Sequence, residues 1–122
     1  MKRPIKYRHE VHVEVGADID ELVEEPLKKL ALDTIREILT GERVGKSLEN
    51  RRSTGDLSNC LKVLFDVRND IPPRFRVVYR EIRSGVEIVA IETLSIGDRF
   101  ELEAYYKAAV RLGRISKDPD RD

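Results

Sequence analysis

The chain lacks what several classes of protein require. It has no tryptophan, one methionine, one cysteine (Cys60) and two histidines, His9 and His12. A single cysteine closes no internal disulfide, so the covalent staples of small secreted domains are excluded. Nothing beside Cys60 in the sequence would lower its thiol pKa, and an apolar filling role is expected for it. One cysteine and two histidines give no metal-ligand spacing, and no metal or other cofactor is expected. No apolar run approaches the roughly 18 residues of a membrane span. The opening Met1-Lys2-Arg3-Pro4-Ile5-Lys6 is basic but without the apolar core of a signal peptide, which leads to the expectation of a cytoplasmic protein without membrane contact. Net charge is absent as well, since 23 basic residues face 23 acidic ones.

What is present suits one packed domain. The 122 residues are 40% hydrophobic and 38% charged, enough apolar material for a single core under a charged surface. The expectation is one domain over 1–122 with a frayed tail from about 116. The neutral total hides a local bias. Residues 42–80 hold nine basic side chains (Arg43, Lys46, Arg51, Arg52, Lys62, Arg68, Arg74, Arg76, Arg80) against five acidic ones, while each flanking segment carries a net −2. A positive middle creates a local field that attracts polyanions. The same arginines would equally serve as a solvated sheet face or as ion-pair partners.

Periodicity supplies the elements. Tyr7 to Val15 alternates and predicts a strand ended by Gly16. Apolar positions at Ile19, Leu22, Val23, Leu27, Leu30, Ala31, Ile35, Ile38 and Leu39 follow helical spacing, with Asp18 or Asp20 as N-cap and Gly41 as the stop. Pro26 interrupts them and predicts a kink or two helices. Residues 42–59 read as a long connection with a helical turn near Ser47-Leu48-Glu49. Cys60–Asp66, Arg74–Ile82 and Val86–Leu94 read as strands, the last two joined through Arg83-Ser84-Gly85. A helix follows, with Phe100, Ala104, Tyr105, Ala108, Ala109 and Leu112 on one stripe and Gly113 at its end. The order predicts an α+β fold: a small antiparallel sheet, made of the N-terminal strand and a three-stranded meander, packed by an N-terminal helix or helical hairpin and a C-terminal helix, all on one face.

The second half carries a resemblance. Leu61-Lys62-Val63-Leu64-Phe65, Arg74-Phe75-Arg76-Val77-Val78-Tyr79, Ile96-Gly97-Asp98-Arg99 and Ala104-Tyr105-Tyr106-Lys107 through Leu112, in that order and spacing, resemble the RelE/ParE toxins of type II toxin–antitoxin systems. The resemblance covers about residues 57–112 and implies a RelE-like microbial RNase architecture. It implies a metal-independent, ribosome-dependent endoribonuclease, in which the 2′-hydroxyl of messenger RNA attacks the adjacent phosphate and leaves a 2′,3′-cyclic phosphate. That reaction needs a base, an acid for the leaving 5′-oxygen and positive charge at the crowded phosphorane. Residue by residue, the resemblance casts Arg76 as a phosphate clamp and Arg99 as transition-state stabiliser or proton donor by proxy. It makes Tyr105 a stacking or acid/base group and Lys62 the lysine of the first meander strand. Arginine's planar fork suits a phosphate with two exposed oxygens. Lys46, Arg51, Arg52, Arg74 and Arg80 are further candidates for RNA contact. The implied partners are a cognate antitoxin, the ribosome and its message.

Other readings stand beside this one. Leu64 occupies the place of a second lysine in the RelE pattern, the acidic Asp98 precedes Arg99, and the total charge is neutral. These features suit a ParE-like inhibitor of DNA gyrase, or an inactive relative that acts only by binding protein. Tyr105 lies on the apolar stripe of its helix and so equally suits the core. Arg74 and Arg76 alternate with Phe75 and Val77, as on any strand with one wet face.

Overall fold

The alternation that opens the chain yields a strand shorter than its pattern. In the computed structural model, which describes residues 4–48, 59–68, 73–98 and 103–113, strand β1 covers Arg8–Val11. The chain turns at His12, whose carbonyl accepts from Val15 N at 3.0 Å and whose Nδ1 accepts from Glu14 N at 3.2 Å. Val15 therefore opens helix α1 (Val15–Asp20) and is buried beneath it. Pro26 marks a boundary between helices. It stands in the first turn of α2 (Glu25–Thr40), where its missing N–H is not needed. Leu27, Ala31, Ile35, Ile38 and Leu39 give α2 its buried stripe. Gly41 ends it at φ 82°, a left-handed conformation that glycine adopts without strain.

Where a helical turn was expected near Ser47, the chain forms a two-residue strand, β2 (Lys46–Ser47), paired antiparallel with β3 (Cys60–Phe65). Gly45 makes this approach possible. A Cβ there would sit 2.5 Å from the Lys62 carbonyl oxygen, and its N–H donates to the Tyr79 hydroxyl at 2.8 Å.

The expected meander forms from β3, β4 (Phe75–Ser84) and β5 (Glu87–Asp98), antiparallel throughout. The full sheet is five-stranded in the order β1-β5-β4-β3-β2. It is mixed, because β1 joins β5 in parallel, with Arg8 opposite Ala90 and Val11 opposite Thr93. The sense of that pairing depends on contacts far apart in the chain and leaves no local trace in the sequence.

A bulge at Leu94 then reverses which face β5 shows. Val78 pairs with Ser95 and Tyr79 with Thr93, so Leu94 has no opposite residue. Helix α3 (Glu103–Arg111) consequently packs on the face opposite α1 and α2. Val15, Leu27, Ile35, Phe65, Val77, Tyr79 and Ile96 form the core under α1 and α2, while Cys60, Val78 and Leu94 meet Ala104, Tyr105, Ala108 and Ala109 under α3. The expectation of helices on one face is corrected to helices on both. Buried large side chains of this kind each stabilise by roughly 1.5–3 kcal/mol.

Candidate nucleic-acid interface

Strand alternation puts three cations on the α3 face of neighbouring strands. Lys46 on β2 lies directly opposite Lys62 on β3, Lys62 lies opposite Val78 on β4, and Arg76 is two residues before Val78. Two lysines directly opposite each other repel. Helix α3 adds the fourth group. Arg76 pairs in the ladder with Gly97, and a Cβ at Gly97 would meet the backbone of Ala104 at 3.1 Å. The bare glycine thus lets the first turn of α3 lie on β5. Ser95 Oγ holds that turn through the Ala104 carbonyl at 2.6 Å. Tyr105, the next residue, is brought over Arg76, whose Nε donates to the Tyr105 hydroxyl at 3.0 Å. Lys62 Nζ lies 5.7 Å from the centroid of the Tyr105 ring.

Arg76 is 9% exposed and Tyr105 3%. Arg76 Nη1 donates to the carbonyls of Pro73 at 2.9 Å and Phe75 at 3.3 Å, which leaves Nη2 as the end of its five-donor fork that meets no described residue. Tyr105 is thus both the core residue of its apolar stripe and a polar partner of the arginine.

The pairing of the other cations separates candidates. Arg74 forms a fork with Asp66 at 2.8 Å to each oxygen, and hydrogen bonds from Arg74 hold the Asp66 carboxyl far below the usual range. Arg80 pairs with Glu92, Arg83 with Glu81 and Arg8 with Glu10. Among the described residues, Lys46, Lys62 and Arg76 have no carboxylate partner. The structure therefore brings together Lys62, Arg76 and Tyr105, with Lys46 alongside, and places Arg74 and Arg80 in ion pairs. Arg51, Arg52 and Arg99 lie outside the described residues.

Two clefts flank this region. One of about 290 Å³ at the sheet edge is lined by Arg43, Lys46, Lys62 and Leu64, with no carboxylate in its wall among the described residues. The other, about 320 Å³, is lined by Asp18, Glu21, Glu24, Asp98 and Glu103 together with Arg74. Its sign repels a polyanion, so its larger volume does not make it the better candidate.

A group that sequence reasoning passed over fixes α3. Past Thr93, β5 has no strand on its β1 side among the described residues, and two side chains take the place of one. Asp18 Oδ2 accepts from Ile96 N at 2.9 Å, and Arg111 Nη1 donates to Leu94 O at 2.8 Å. The same two residues form a buried fork, with Arg111 Nη1 and Nη2 at 2.6 and 2.9 Å from the two Asp18 oxygens, joined by Lys107 at 3.2 Å. Burial alone would raise the Asp18 pKa. The Arg111 hydrogen bond, the Ile96 N–H and the Lys107 charge outweigh it and hold the carboxyl below its ordinary value. Asp18 thus joins α1 to β5 and α3, rather than capping α1 as expected. The sequence signal was a basic last turn in α3, which pointed to no particular partner.

A short α1–α2 pair on one face, a small mixed sheet, and a C-terminal helix on the other face make up a RelE-like α+β fold. Among solved structures, the chain is similar to the E. coli toxin RelE, in a double-arginine mutant form in the free state, with a TM-score of 0.57 over 87% of this chain and 97% of that one. Sequence identity between the two is 20%. The likeness includes the N-terminal half, which the sequence motifs did not cover. No protein-family model matches the chain, and no curated protein sequence does.

Proposed function

We propose that this chain is the toxin of a type II toxin–antitoxin pair, and that it cleaves messenger RNA on the ribosome as an endoribonuclease without a metal. The observation that carries the reading is the set of strand cations without carboxylate partners, Lys62 and Arg76, gathered with the Tyr105 phenol on one face of a RelE-like fold. A phosphodiester there would take the charge complement that the protein does not supply itself. The attacking 2′-hydroxyl loses a proton, the 5′-oxygen gains one as it leaves, and a 2′,3′-cyclic phosphate remains. Arg76 clamps the non-bridging oxygens through Nη2. Lys62 adds a second charge as the phosphorane forms, and Tyr105 fixes the guanidinium and offers a hydroxyl to the reacting oxygens. Arg99 is proposed as a further transition-state cation. The cognate antitoxin is proposed to present acidic residues to the 42–80 segment, so that added salt weakens the pair.

The test is to induce the chain alone in cells and map RNA ends. Message fragments ending in cyclic phosphates are expected with the native chain. With Arg76→Ala, a lost transition-state contact worth about 2–4 kcal/mol reduces cleavage about 30- to 1000-fold. Undamaged message during growth arrest would remove the nuclease reading. One observation favours a gyrase inhibitor as the second reading: Leu64, not a cation, stands opposite Arg76. That reading expects a DNA-damage response with intact RNA.

A further inference from the structure

We propose that Lys46 and Lys62 together hold the phosphodiester next to the scissile one, with Lys62 shared between the two phosphates, so that a single RNA strand crosses the sheet from β4 over β3 to the β2 edge. This inference rests on the nuclease reading and adds the direction and register of its substrate. Three observations carry it. First, Lys46 and Lys62 are in direct cross-strand register, an arrangement that costs stability unless an anion lies between the two charges. Second, exposure falls stepwise along the line: Lys46 is exposed, Lys62 half-buried and Arg76 buried. A strand of RNA therefore has an open end at the sheet edge and a closed end beneath α3. Third, among the described residues the edge cleft beside Lys46 and Lys62 has no carboxylate in its wall, and its remaining cation, Arg43, already serves Glu37 and the Leu64 carbonyl. The two lysines are its cations without a carboxylate partner among the described residues. Neighbouring strands are ~4.8 Å apart, and flexible lysine side chains adjust that step to successive phosphates of an extended strand. An ammonium on such a stem serves as a point charge, which neighbouring phosphates can share.

The experiment uses the full chain with a short synthetic message on purified ribosomes. Cleavage is measured for the native chain, Lys46→Gln, Lys46→Arg and Arg76→Ala. A second set of messages carries a neutral methylphosphonate in place of the phosphodiester on either side of the cut. Lys46→Gln is expected to raise the half-saturating concentration about fivefold with the saturated rate unchanged, and Lys46→Arg to restore it. The salt dependence of the half-saturating concentration should flatten by about 0.7 in log–log slope, the value for one lost phosphate contact on a single strand. One of the two neutral messages should weaken the native chain as much as Lys46→Gln does, with no further loss when the two changes are combined. Additive losses would overturn the subsite. So would native behaviour of Lys46→Gln alongside an inactive Arg76→Ala, an outcome that leaves the nuclease reading standing. Intact message with the native chain would remove the nuclease reading instead, and full cleavage by Arg76→Ala would take the scissile phosphate away from Arg76 and overturn the proposed path of the strand. Weakened antitoxin binding by Lys46→Gln with unchanged cleavage would make this a protein-docking surface and overturn the proposal.

Discussion

Single residues decide how closely the groups around Arg76 assemble, and the two that matter most there have no side chain. Gly97 lets α3 descend onto β5, and Gly45 lets β2 reach β3. Gly45→Ala would place a methyl 2.5 Å from a backbone carbonyl and 3.1 Å from the Tyr79 ring, neither of which has room to yield. The expected loss is about 1–3 kcal/mol, read as a lower urea midpoint with an unchanged slope. Because β2 carries Lys46, the proposed nuclease function predicts that the same variant also weakens RNA contact more than its stability loss explains. The arginines illustrate how far a sequence can be read. Nine basic residues in 42–80 announced a positive segment, and Arg76 and Tyr105 were recognisable from their place in the motif order. Which arginines are already matched was hidden, because Asp66 and Glu92 reach Arg74 and Arg80 only after the strands pair.

At the scale of elements, the strongest constraint is the Asp18–Arg111 fork, which stands in for a missing strand on β5 and fastens α1 and α3 to the sheet. Replacing Asp18 leaves the buried Arg111 with only the exposed Glu14 carboxylate, 3.1 Å from its Nε, so Asp18→Asn is expected to lower stability by about 3 kcal/mol, the low end for a broken buried pair, in equilibrium unfolding. The same fork gives an acid dependence. The folded Asp18 pKa is depressed from 3.8, so its stabilisation is complete above that value and is lost as pH falls through the lower folded one. Thermal midpoints should drop steeply below about pH 4, and Asp18→Asn should show a shallower decline. Element identity was largely legible beforehand, since alternation and helical spacing are local properties. The meander, the Pro26 boundary, Gly41 and α3 all follow from them. The parallel sense of β1, the bulge at Leu94 and the placement of α3 on the second face depend on pairings between distant residues, and periodicity carries no information about those.

At the scale of the molecule, neutrality and local charge coexist because most cations among the described residues are matched where they stand, while Lys46, Lys62 and Arg76 are concentrated on one face. With a net charge of zero and a pI near 6.8, self-repulsion is weakest around that pH. Light scattering of the isolated chain should therefore peak near pH 6.8 and fall toward pH 8.5, and Lys46→Gln should move the maximum to lower pH.

The parallel union of β1 with β5 also has a consequence for the chain as it is being made. Arg8 must wait for Ala90, and Val11 for Thr93, before the first strand has a neighbour. During synthesis the opening segment emerges long before its mate, and closing so wide a loop is slow. The groups around Arg76 assemble later still, because Tyr105 follows β5. Whatever chemistry the groups around Arg76 perform, they cannot perform it until both β5 and α3 have been made.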